Sequence, residues 1–148
     1  MPEASDASPD WTARLEALGR ELGQREAEHR DALERARGFA EKLRGQVADA
    51  LERFHSASAA AGAPHLRVEL SPIRIDDKHL RAIEFNLVRG RHKAVVVAKA
   101  RGDVTLVGPF HIGKNEGPCK SFPMESESEL QQALGDFLAR FVEEAAAP

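Results

Sequence analysis

Apolar residues recur at three- and four-residue spacing from Trp11 to Ala57, and after Pro64 they recur at every second position, so the chain changes period once. The first pattern predicts a helix over residues 9–62. Ser8 suits the N-cap, Pro9 the first helical position and Asp10 the positive end of the dipole, while Gly62 and Pro64 form a stop signature. Its apolar positions are Trp11, Leu15, Leu18 and Leu22, then, beyond a polar stretch, Leu33, Ala36, Ala40, Leu43, Val47, Leu51 and Phe54. The stripe drifts slightly around the helix, as expected for a nearly straight rod rather than a strict heptad supercoil. His29 falls on the seam in the polar waist and is read as a tolerated polar residue.

A helix of that length would run about 80 Å, against a body of about 30–35 Å built from the rest, so one end must project. The waist from Gln24 to Asp31 contains neither Pro nor Gly, which disfavours folding the segment into a hairpin. The projecting stripe needs a partner, and a second copy of the chain is the simplest. A homo-oligomer, in the first instance a dimer, is therefore expected through Trp11, Leu15, Leu18, Leu22, Leu33, Ala36, Ala40 and Leu43.

Alternation then marks strands at Leu66–Leu70, resuming at Ile73–Ile75 after Ser71-Pro72, and at Ile83–Leu87, Ala94–Ala98 and Val104–Val107, with turns at Arg89-Gly90 and around Gly102. They predict a four-stranded antiparallel meander. Ser126 to Glu129 has the spacing of a capping box, and Leu130, Leu134, Phe137, Leu138, Phe141 and Val142 share one stripe of an amphipathic helix that should cover the sheet. The fold class is α+β: residues 1–8 a disordered tail, 9–62 the oligomerising helix, 63–148 a sheet-plus-helix domain.

Composition narrows the function classes. The net charge of −3 gives neither the basic excess of a nucleic-acid coat nor the acidity of a disordered activator. One Cys rules out an internal disulfide framework and a multi-cysteine zinc site. No stretch approaches the roughly 20 apolar residues of a membrane span and the first residues do not resemble a signal peptide, so no membrane association and a cytoplasmic location are expected. Charge is distributed unevenly: residues 63–101 hold 9 basic against 4 acidic side chains, residues 102–148 hold 3 against 8. The basic cluster Lys78, Arg81, Arg89, Arg91, Lys93, Lys99 and Arg101 lacks the exposed aromatics that stack bases, since there is no Tyr and Phe85 occupies a core position. Nucleic acid is therefore not an expected partner, and Glu127, Glu129, Glu143 and Glu144 or an acidic protein surface are the expected anions.

Candidate chemistry gathers in one segment, read as a loop over residues 111–123, which carries His111, Lys114, Asn115, Cys119 and Lys120. Cys119 beside Lys120 could serve as a nucleophile, but a lone Cys is more often a small hydrophobe, and no Ser/His/Asp arrangement accompanies it. Gly113-Lys114-Asn115-Glu116-Gly117 lacks the Walker order, His111, Cys119 and the scattered His65, His79 and His92 lack metal-ligand spacing, and Arg101-Gly102-Asp103 reads as a turn. No cofactor or metal is expected. The reading is a non-enzymatic adaptor or assembly protein that oligomerises through its first helix and offers the sheet domain, with His111, Lys114, Asn115, Cys119 and Lys120, to a protein partner. The alternatives are a small-molecule-binding domain or a thiol-dependent enzyme on the same segment. Far-ultraviolet circular dichroism should show helix well above one third of the residues; a smaller share would contradict the architecture.

Overall fold

A computed structural model describes residues 10–76, 81–114 and 117–147. Helix α1 runs unbroken from Asp10–Ala60, 51 residues and about 76 Å, so the waist does not fold back. Ser8 and Pro9, expected at its start, and the predicted tail lie outside the described residues. Its C-terminal end is a Schellman motif: Gly62 adopts φ 98°, its amide donates to the Ala59 carbonyl (3.0 Å), and the Ala63 amide donates to the Ser58 carbonyl (2.8 Å).

The sheet is larger than the four strands expected. In chain order the strands are β1 (Glu69–Leu70), β2 (Arg74–Ile75), β3 (Ala82–Arg89), β4 (His92–Lys99), β5 (Asp103–His111) and β6 (Cys119–Pro123), followed by helix α2 (Glu127–Ala146). The spatial order is β1-β3-β4-β5-β6, β2 also pairs with β3, and all pairs are antiparallel. β6 replaces part of the expected loop. With no β-branched residue and prolines at 118 and 123, its five residues carry little strand signal of their own, and their pairing with β5 defines them.

The interrupted first strand has a specific cause. Ser71 stands opposite Asn86 of β3: its amide donates to the Asn86 carbonyl (2.9 Å) and its hydroxyl accepts the Asn86 amide (2.8 Å). The side chain thus stands in for a backbone acceptor just before Pro72, where the strand breaks into β1 and β2, and Arg44 of α1 donates to the Ser71 carbonyl (2.7 Å).

Both helices cover one face of the sheet. The register places Ile83, Phe85 and Leu87 beside Ala98, Val96 and Ala94, and these beside Val104 and Leu106, all buried. Onto this surface α1 lays Ala36, Ala40, Leu43, Val47 and Leu51, and α2 lays Leu130, Leu134, Phe137 and Phe141. Alanines on both α1 and β4 let the helix approach closely, and the phenylalanines fill the space between. The helices run parallel here, since Lys42 donates to Glu127 (2.6 Å) and Gln131 to Gln46 (2.8 Å). Glu127 is held below the ordinary carboxylate range by that lysine. Ser126 makes no side-chain cap bond, contrary to the capping-box expectation; its carbonyl instead accepts the Leu130 amide at 2.9 Å.

His55 ties the end of α1 to the sheet domain. Its Nε2 accepts the Val68 amide at 3.0 Å, which requires the neutral ring. Burial lowers its pKa from the ordinary 6.5, the Arg67 charge lowers it further, and Glu52 opposes both. A base whose pKa is lower in the folded chain stabilises it above the unfolded value, and that stabilisation is lost as pH falls from about 6.5 toward the native value. Melting temperature should therefore fall from pH 7.5 to 5.5 more in the wild type than in His55→Gln, which at pH 7.5 should be less stable by about 1 kcal/mol. Parallel slopes would show that the hydrogen bond does not set this pH response.

Candidate functional site

The residues expected at an oligomer interface separate into two groups. Trp11, Leu15, Leu18 and Leu22 are exposed, from 39% for Leu18 to 61% for Trp11, on a part of α1 that leaves the sheet behind. Leu33 is partly buried against the core, and Ala36, Ala40 and Leu43 are fully within it. The lower half of the expected interface is thus occupied by the chain's own sheet, because the same stripe runs from one environment into the other. Only the first four positions remain open to a second chain.

The chemistry-bearing segment is partly strand. β5 continues to His111, β6 begins at Cys119, and Asn115 lies outside the described residues. His111 stands opposite His92 of β4, their rings edge to face with centroids 4.8 Å apart. Lys114 is exposed beyond it, where its amide donates to the His111 carbonyl (3.1 Å). Cys119 is exposed and stands opposite Val107, four residues before His111 and so about 13 Å away along the strand. Cys119, His111 and Lys120 are therefore not brought together around one reacting atom. Among the described residues no group of three or more His, Cys, Asp or Glu side chains could hold a metal.

Two glycines shape this end of the sheet. Gly108 has φ 107°, and a Cβ there would lie 3.0 Å from the Lys93 carbonyl oxygen, beside the register shift between Lys93 and Val95. A Cβ on Gly117 would lie 3.0 Å from the Phe110 Cβ, so the returning segment lies close against that side chain.

What the segment does build is a groove of about 700 Å³ between β6 and α2. Leu106, Phe122, Ala133 and Phe137 give it an apolar floor, and Lys120, Glu129, Asp136 and Arg140 a charged rim. Sequence reading placed Cys119 and Lys120 in this region but missed the groove, whose second wall comes from α2.

Of the basic cluster, the Arg101 and Arg89 side chains have local partners, as does that of the neighbouring Arg74. Arg74 pairs with Glu84 (2.8 Å), and Arg101 grips Asp103 through two hydrogen bonds (2.7 and 3.1 Å) that hold the carboxyl below its ordinary range. Arg89 donates to the His65 carbonyl (3.2 Å), and Lys78 lies outside the described residues. The acidic residues of α2 do not neutralise this cluster as expected: Glu127 pairs with Lys42, and Glu144 with Arg140 on its own helix.

No helix among the described residues is long and apolar enough to cross a membrane. No protein-family model, curated protein or solved structure matches the chain, so geometry alone carries the functional reading. Native protein should accept one equivalent of a maleimide at Cys119 without denaturant and keep its circular dichroism spectrum. Labelling that requires unfolding would contradict the exposed position on β6.

Proposed function

We propose that the protein is a non-enzymatic adaptor that dimerises through the projecting half of α1 and binds a protein partner through its sheet domain. The observation that carries this reading is the exposed row Trp11, Leu15, Leu18 and Leu22. Spacings of four, three and four put these side chains on one seam, the arrangement that two helices bury against each other. A run of large apolar groups on an otherwise polar rod is costly in water, and a second identical row covers it without a new partner type. Arg25 and Glu21, ion-paired at 2.8 Å, flank the seam with the charge that keeps such a rod soluble outside it.

The sheet domain supplies the other half of an adaptor, a surface with shape. The groove between β6 and α2 is open and mixed in polarity, and Cys119, Lys120 and their neighbours lie along it. Separation of Cys119 from His111 favours binding over thiol chemistry as the use of this segment.

Multi-angle light scattering at tens of micromolar should give twice the chain mass. The double variant Leu15→Glu/Leu22→Glu should give the chain mass with an unchanged denaturation midpoint for the sheet domain, since neither leucine touches the core. A monomeric wild type would remove the basis for the proposal.

A further inference from the structure

We infer that the groove between β6 and α2 takes an extended peptide segment of a partner protein as an added strand on β6, recognising an apolar and an acidic side chain two residues apart. This deepens the adaptor reading, and rests on it, by assigning the surface and the chemistry of the partner.

The backbone argument comes first. The Gly108 amide donates to the Pro118 carbonyl and the Met124 amide to the Gly102 carbonyl, so the even-numbered residues from 118 to 124 turn their backbone groups toward β5. The odd-numbered residues turn theirs outward. Pro123 has no amide hydrogen and its carbonyl accepts the Ser126 amide (3.1 Å). That leaves the N–H and C=O of Cys119 and Ser121, both on exposed residues at the open edge. Two donors and two acceptors repeating every second residue match the edge of another strand and no compact ligand.

Side-chain direction supplies the specificity. Lys120 stands opposite Leu106 and Phe122 opposite Val104, so both project on the helix-covered face, where the groove lies. A strand added to β6 would turn alternate side chains into the same groove, one beside Phe122, Ala133 and Phe137, the next beside Lys120. The first site is apolar. At the second, Glu129 and Asp136 share the rim but leave Lys120 without an ion pair among the described residues, while Arg140 is engaged by Glu144, so Lys120 is the positive charge free to receive a ligand. An acidic side chain complements that end and a medium-sized aliphatic one the other. The sheet's opposite edge is split into two strands of two residues each, β1 and β2, by the break at Ser71-Pro72, and among the described residues no groove as large as that along β6 accompanies it.

The test uses the full chain and fluorescein-labelled, end-blocked octapeptides with Val-Thr-Glu or Glu-Thr-Val at the centre of a Ser/Thr frame, covering both strand directions, and matched peptides with Lys in place of Glu. Fluorescence polarisation should show saturable binding of one Glu peptide at about 10–300 µM and at least about tenfold weaker binding of its Lys counterpart. Ser121→Pro removes the outward amide, together with the hydroxyl that bonds Thr105, and leaves the backbone ladder to β5 intact; Ser121→Ala removes that hydroxyl alone, and Ala133→Arg fills the groove without touching the edge. Ser121→Pro and Ala133→Arg should each weaken binding at least about tenfold, whereas Ser121→Ala, which keeps the amide, should bind as the wild type does. Absence of saturation by 1 mM, or equal affinity in all three variants, would overturn the inference. So would a loss of mass in Ser121→Pro, which would make a second copy the occupant of the edge. Light scattering of the same samples reads the helix separately: a dimer that binds no peptide leaves the adaptor reading without this groove, and a monomer that binds leaves the groove without the helical dimer.

Discussion

The structure depends on a mismatch of length. An unbroken helix of 51 residues packs on a sheet whose longest strand has 9, and a helix advances about 1.5 Å per residue where a strand advances about 3.3 Å. Even so, α1 is more than twice as long as any strand. Its buried face is confined to Ala36, Ala40, Leu43, Val47 and Leu51, and everything before His29 must find its surroundings elsewhere. Placing the anchored part at the C-terminal end makes the stop important. The Schellman turn at Gly62 and the hydrogen bond from Val68 to His55 fix where the rod ends and how the chain enters the sheet, and so determine which turn of α1 meets β3 and β4.

The second helix is constrained by a short connection. Only three residues separate β6 from α2, so the helix must run back along the strand it has just left, over the same face. Alongside α1 it is held by the Lys42–Glu127 and Gln46–Gln131 contacts, and its apolar face lies over β4 and β5. A helix held toward the middle of the sheet cannot also close over the last strand, and the open strip between them is the groove. It follows from connectivity and packing, with no residue dedicated to holding it open.

How much of this could be read from the sequence depended on whether a signal was local. The helix stop at Gly62, the turn at Gly90 with φ 58° and the alternation of Ile83, Phe85 and Leu87 are all written in a few adjacent residues, and each appears where expected. The break at Ser71-Pro72 was also visible, although the use of the Ser71 hydroxyl as a strand acceptor was not. β6 left little trace because its strand character comes from β5; Cys119, Lys120 and Ser121 would suit a loop equally well. The stripe of α1 concealed a different fact: Leu22 and Leu33 look alike in a helical pattern, yet one is exposed and the other lies against the core. Periodicity shows which side of a helix is apolar, but not how far along that side the chain's own sheet extends. The groove needed two elements at once, and sequence order gives no hint that Ala133 and Phe122 face a common space.

Pro123 ends the outward hydrogen-bonding groups of β6 at its C-terminal side, leaving those of Cys119 and Ser121 within the strand. A long, uninterrupted edge would template further chains of its own kind, each offering a fresh edge in turn, and an abundant protein carrying one would risk growing into fibrils. Here sheet growth has a built-in terminus at one end: beyond Ser121, an incoming strand meets the Pro123 ring where it would need an amide hydrogen.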